Sequence, residues 1–163
     1  MSLTLTALKD FPLINRGDDL PVIIKNSLDK STLALEDNDI LVLAQKIVSK
    51  AEGRMINLAG ISPGDRANEL AIQTEKDARL IELILQESSS ILRTRPGTII
   101  VEHKLGFVCA NAGIDHSNVA GKGDSKEEMV LLLPEDPDRS AKQIRFDLER
   151  ITGKRIGILI NQK

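Results

Sequence analysis

Aromatic residues are nearly missing from this chain of 163 residues, which has three Phe and neither Tyr nor Trp. Without aromatic platforms, recognition of bases or sugars by ring stacking is disfavoured, which argues against single-stranded nucleic-acid modules. Cysteine is scarce as well. Cys109 stands alone, so no intrachain disulfide can form, and the composition suits a reducing compartment such as the cytoplasm. No apolar run approaches the roughly 18 residues of a membrane span. Lys9, Asp10 and Pro12 interrupt the N-terminal apolar stretch too early for a signal peptide, so no membrane association is expected. Charge of one sign is also lacking: the net charge is −2 with 28% charged residues, which gives no basic field for a nucleic-acid polyanion. There is no G-x-x-x-x-G-K-[ST] phosphate loop, no G-x-S-x-G elbow and no internal repeat.

What is present is an ordinary apolar share, 41%, supplied by Leu, Ile and Val, enough for an aliphatic core. Residues 3–8 read as a first strand. Asn15-Arg16-Gly17-Asp18 reads as a turn, with Asp18 capping a helix over roughly 19–28 that tolerates Pro21 in its first turn. Ile40-Leu41-Val42-Leu43-Ala44 is a continuous apolar run, which predicts a strand covered on both faces. A short element from Gln45 to Glu52 stops at Gly53. Ser62-Pro63-Gly64-Asp65 opens a helix to about Gln73, and a second helix covers about 75–89. A hairpin is expected from Thr98–Glu102 and Phe107–Ala110, then a loop over 111–128 and a strand over Met129–Leu133. Asp136-Pro137 caps a helix whose apolar face is Ala141, Ile144, Leu148 and Ile151, and Gly153 stops it before a strand over 156–160. Hairpin-like pairs beside separate helices point to an α+β fold with a mixed, largely antiparallel sheet and flanking helices.

Chemistry concentrates in Asn111-Ala112-Gly113-Ile114-Asp115-His116-Ser117-Asn118, where an acid, an imidazole, a hydroxyl and two amides follow a strand. A hard cation such as Mg2+ takes one or two carboxylates together with substrate phosphate oxygens. Asp115 can supply such a ligand, and Asn118 can hydrogen-bond a nucleotide. The same residues also suit a polar turn that caps its own backbone. Lys46 and Lys50, after the strand at 40–44, can hold phosphate as point charges or form a solvated edge. Gly121-Lys122-Gly123 reads as a flexible loop, and the acids at Glu135, Asp136 and Asp138 as helix capping. His103 and His116 have no cysteine partner nearby, which disfavours zinc, and Cys109 reads as a small core residue.

In order along the chain, these segments resemble the coenzyme F420-0:L-glutamate ligase family. The resemblance rests on Phe11-Pro12-Leu13-Ile14 with Gly17-Asp18-Asp19-Leu20, and on Ser49-Lys50-Ala51-Glu52-Gly53-Arg54. It continues through Asn111 to Asp115 with Ser117-Asn118, Leu132-Leu133-Pro134 with Asp136-Pro137-Asp138, and Thr152-Gly153-Lys154-Arg155. It implies residues 1–163 as one ligase-like domain, expected to be the N-terminal part of a longer family fold. It also implies ligation of L-glutamate to an F420 precursor, with GTP as co-substrate, Mg2+ or Mn2+ as metal and K+ as a further ion. Carried over by position, Phe11, Pro12, Leu13, Ile14, Lys50 and Asn118 contact GTP, as do Gln45 and Lys46, and Asp115 binds the metal. A homodimer is expected. The sequence departs from the family where a second metal-binding Asp is followed by Thr or Ser, since Gln162 and Lys163 stand there. A truncated or non-catalytic homologue, acting as a dimerising or nucleotide-binding module, is the competing expectation.

Overall fold

The computed structural model describes residues 3–116 and 128–162. Its elements in chain order are α1 (Leu20–Lys30), β1 (Ile40–Ala44), α2 (Gln45–Ala51), β2 (Met55–Asn57), α3 (Asp65–Thr74), α4 (Ala78–Gln86) and β3 (Ser88–Arg95). There follow β4 (Thr98–His103), β5 (Val108–Ala110), β6 (Met129–Leu131), α5 (Pro137–Thr152) and β7 (Gly157–Asn161), with short 3-10 turns at Leu58–Gly60 and Asn111–Gly113. The fold is α+β with mainly antiparallel pairing, as the sequence implies. The chain divides into two compact units, Met1–Arg54 with Pro134–Lys163, and Met55–Leu133. No helix among the described residues is long and apolar enough to cross a membrane.

In the first unit, β1 and β7 run parallel, from Ile40 opposite Gly157 to Ala44 opposite Asn161. Ile24, Leu43, Val48 and Leu148 lead its core, joined by Ile14, Leu20, Leu28, Ile144 and Ile156. The helix starts follow local chemistry. Asp136 caps α5 by accepting from the Arg139 N–H at 2.9 Å, Pro137 occupies the first turn, and Gly153 ends the helix at φ 69°. At α1 the cap is Asp19, which accepts from the Val22 N–H at 3.1 Å, and not Asp18 as the sequence suggests. The Asp18 carboxylate is already engaged by the Asn15 N–H at 2.7 Å, which closes the turn and passes the cap to the next acid.

Three further expectations fail in this unit. Residues 3–8 form no strand, and Leu3 and Leu5 are exposed, because no described segment offers them a ladder. The β1 run is not covered on both faces: Ile40 is 67% and Val42 58% exposed, while Leu43 points into the core. With β7 as its only described partner and core on one side, the run behaves as an alternating strand. On α5, Ile144 and Leu148 are buried but Ile151 is 40% exposed, beyond the end of the covered face.

The second unit is built on the antiparallel sheet β3-β4-β5, with α3 and α4 packed on it. In β4 every second residue (Ile99, Val101, His103) is buried, and Ile99 and Val101 join Ala67, Leu70, Ile81 and Ile84 from the helices in one core. β3 corrects the expectation of one helix over 75–89. Glu75 ends α3 at φ 54°, Asp77 caps α4 through the Arg79 N–H at 2.8 Å, and the chain is extended from Ser88. α3 starts at Asp65 with Gly64 at the cap position and no side-chain cap, where Ser62-Pro63-Gly64-Asp65 suggests one; the Gly64 N–H donates to Glu82 Oε2 at 3.0 Å. β2 and β6 form a second antiparallel pair, with Val130 packing against Leu58 and Leu83. The expected strand over Met129–Leu133 therefore ends at Leu131.

Candidate functional site

The motif residues of the second unit follow β5. Asn111, Ala112 and Gly113 all lie in the left-handed region, at φ 52°, 52° and 67°. Glycine adopts that conformation freely and asparagine tolerates it, but alanine pays a steric penalty. The turn persists because its surroundings fix it: Ala112 is buried to 1%, and the Ile114 N–H donates to the Asn111 carbonyl at 3.0 Å. The Gly113 N–H hydrogen-bonds the Cys109 sulfur, while burial pushes the Cys109 thiol pKa up. Cys109 packs, partly buried, against the core of this unit, and a raised pKa leaves less of the reactive thiolate.

Beyond the turn, Asp115 is clamped to β6. Its N–H donates to the Leu131 carbonyl and its carbonyl accepts from the Leu131 N–H, each at 2.9 Å. The three left-handed residues thus carry the chain from the β5 ladder to a bridge beside β6, with Asp115 half-buried on it. Asn111 Oδ1 is buried without a hydrogen-bond partner among the described residues. Ser117 and Asn118, and with them the proposed nucleotide amide, lie outside the described residues.

The donor set here is of hard oxygen type: a carboxylate at 115 and an unsatisfied amide carbonyl at 111. Among the described residues no group of three or more His, Cys, Asp or Glu could hold a metal. That excludes a self-sufficient cage of such side chains among them. A carboxylate and an amide oxygen are the donor types a hard cation such as Mg2+ takes, alongside water and phosphate oxygens.

The remaining chosen residues belong to the first unit. Ile14 is a core residue at 5% exposure, Phe11 is partly buried against the same core, and Pro12 and Leu13 are exposed. Gln45 opens α2 with its side chain buried, its amide donating to Ser49 Oγ at 2.5 Å, while Lys46 is exposed. Lys50 is partly buried in the last turn of α2, where its charge complements the carbonyl end of the helix. The loop after residue 14 docks on that turn. The Gly17 N–H donates to the Ala51 carbonyl at 2.8 Å, and the Arg16 side chain lies over Gly53 so closely that an added Cβ would come within 2.7 Å of Nε. The structure therefore docks Arg16 and Gly17 on the end of α2 that carries Lys50.

A cavity of about 600 Å3 in the first unit holds none of these residues. It is lined by Asp18, Asp19, Glu52, Glu135, Asp136 and Asp147 against Arg54 and Arg139. Several of its acids have structural work: Asp19 and Asp136 cap helices, and Glu52 accepts from the Ser140 hydroxyl and the Glu135 N–H. An excess of carboxylates disfavours a polyphosphate in this cavity.

A family model described as F420-0:Gamma-glutamyl ligase matches residues 9–162. The chain is 42% identical to a coenzyme F420:L-glutamate ligase of Methanothermobacter thermautotrophicus over 161 residues, covering 99% of this chain and 62% of the relative. The ligase of the same name from Methanopyrus kandleri is 44% identical over 147 residues, covering 90% of this chain and 54% of that protein. The one from Archaeoglobus fulgidus is 39% identical over 160 residues, covering 98% and 59%. The chain thus spans 62% or less of the length of these relatives.

Proposed function

The chain belongs to the F420-0:gamma-glutamyl ligase family, and on that footing we propose that it serves the GTP-dependent ligation of L-glutamate to a coenzyme F420 precursor. The observation that carries this reading is the match over residues 9–162, together with relatives named for that ligation at about 40% identity.

In the proposed reaction a precursor carboxylate oxygen attacks the γ-phosphorus of GTP, giving an acyl phosphate and GDP. The glutamate amine then attacks the acyl carbon, the C–O bond to phosphate breaks, and an amide, inorganic phosphate and a proton result. Catalysis of such transfers is mostly positioning and neutralisation of charge. Asp115 is the metal ligand in this reading, held on its bridge to Leu131 so that its backbone does not drift when the side chain is loaded. A divalent cation, Mg2+ or Mn2+, supplies neutralisation of the transferring phosphoryl oxygens when bound. Lys50 provides a point charge for nucleotide phosphate, and residues 11–14 line the nucleotide, supported by the docking of Gly17 and Arg16 on the end of α2. Gln45, Lys46 and Asn118 complete the proposed GTP contacts. The proposed setting is the cytoplasm and the proposed assembly a homodimer.

Gln162 favours a second reading. It follows β7, where the family resemblance places a second metal carboxylate, and an amide is a weaker ligand for a hard cation than a carboxylate. On that reading the chain binds nucleotide without completing ligation. Incubation of the protein with precursor, GTP, L-glutamate and Mn2+, followed by mass spectrometry, separates the two. Product heavier by one glutamyl unit, with stoichiometric GDP, supports the ligase. Nucleotide binding without product supports the second reading, and absence of both overturns the assignment.

A further inference from the structure

We propose that Asn111 is a second oxygen ligand of the divalent-cation site, its Oδ1 meeting the ion or a water on the ion beside Asp115. The proposal rests on the reading of Asp115 as a metal ligand and adds a residue to it.

Two independent observations carry it. First, Asn111 Oδ1 is buried with no hydrogen-bond partner among the described residues. A buried acceptor without a donor is costly, and native proteins rarely keep one without a reason such as a ligand that satisfies it. Second, the cost is placed in a turn that is already strained. Asn111 and Ala112 both hold φ 52° although neither is glycine, and the strain falls four residues before Asp115, in the segment that brings Asp115 to Leu131. Strain of this kind concentrates at ligand-binding sites, where the surrounding structure sustains it. If the turn served only to reverse the chain, glycine at 111 would serve better, since it adopts this φ freely and carries no oxygen to leave unsatisfied. Asparagine there adds a side-chain amide, whose oxygen is a neutral hard donor. Mg2+ and Mn2+ are the cations that such an oxygen and one carboxylate suit, with water and phosphate completing the shell.

The test titrates Mn2+ alone into the 163-residue protein, followed by electron paramagnetic resonance of free Mn2+, with circular dichroism as the control for folding. Asn111→Gly keeps the backbone conformation and removes the oxygen. It is expected to weaken Mn2+ binding about tenfold, the usual scale for an outer ligand or supporting group, with an unchanged spectrum. Asn111→Asp keeps an oxygen in place, tolerates the left-handed turn and adds charge, so it is expected to bind at least as tightly as the native protein. Asn111→Gly binding Mn2+ like the native protein, or Asn111→Asp losing affinity as Asn111→Gly does, overturns the proposal. Asp115→Ala separates this from the reading beneath it. If Asp115→Ala loses Mn2+ while Asn111→Gly does not, only Asn111 is misassigned; if native protein and Asp115→Ala behave alike, the metal reading fails together with the proposal.

Discussion

Asp115 and Leu131 exchange both of their backbone hydrogen bonds, N–H to carbonyl in each direction at 2.9 Å, although Asp115 lies outside any regular strand. Leu131 is fully buried and pairs on its other side with Met55 of β2, so the bridge fixes Asp115 to the inner strand of a small ladder. The clamp itself uses only main-chain atoms.

Asp115→Ala removes the carboxylate and leaves those main-chain groups in place. The variant should keep its circular dichroism and lose less than about 1 kcal/mol of stability, as substitutions away from core features do. Metal-dependent GTP binding should vanish. Isothermal titration of GTP in the presence and absence of Mn2+ measures the second effect, and denaturant unfolding the first. Equal losses in both would mean that the carboxylate builds the turn and does not serve a ligand.

Lys50→Ala tests the other proposed contact. Lys50 sits in the last turn of α2, so its removal leaves the core residue Val48 and the loop bond from Gly17 to Ala51 in place. A lost charge-assisted hydrogen bond to phosphate is worth about 1.5–3 kcal/mol, or roughly one to two powers of ten in affinity. Titration should show that loss for GTP, with a smaller loss for guanosine, which offers no phosphate. Equal losses for both ligands would assign Lys50 to structure.

The parts of the fold legible in the sequence are those fixed by neighbours in the chain. Asp136-Pro137 starts α5 and Gly153 ends it because cap, proline and left-handed glycine act within one turn. The strand β3 was hidden because Ser88-Ser89-Ser90 has no alternation; those residues are extended because β4 pairs with them across the Pro96-Gly97 turn. Residues 3–8 fail for the opposite reason, apolar enough for a strand but without a ladder. At the site, the Asn and Gly of 111–113 announced a turn, and the sequence offered Asp115 as a candidate ligand. Nothing local announced that Ala112 is left-handed or that Asn111 Oδ1 lacks a donor, since both depend on what tertiary packing places around them.

Gly53→Ala should loosen the loop that docks on α2. Gly53 has φ 73°, and an added Cβ would come within 2.7 Å of Arg16 Nε. The left-handed penalty is about 1–2 kcal/mol. The contact adds less, because the Arg16 side chain can swing aside. Thermal unfolding should drop by about 2–8 °C. The double variant Arg16→Ala with Gly53→Ala should recover only the contact share. Full recovery would mean that the backbone conformation is not strained at this position.

The cap of α4 predicts a pH dependence. Asp77 accepts from the Arg79 N–H at 2.8 Å and pairs with the Arg79 guanidinium at 2.5 Å, and Arg79 also holds Glu128. The hydrogen bonds from the Arg79 side chain lower the Asp77 pKa below its ordinary value of 3.8. The folded state therefore prefers the ionised form. Its stabilisation is fully present above the unfolded pKa and is lost as pH falls through the lower folded one. Asp77→Asn keeps the capping oxygen, since Asn is as good a cap as Asp, and removes the charge. The native protein should be the more stable at pH 7, by no more than about 1 kcal/mol because the pair is partly solvated and screened. The difference should hold down to about pH 5 and shrink as the carboxylate protonates at lower pH. Melting temperatures of both proteins between pH 7 and pH 2 decide the matter, and a difference that stays constant over that range would mean that the Asp77 charge contributes nothing.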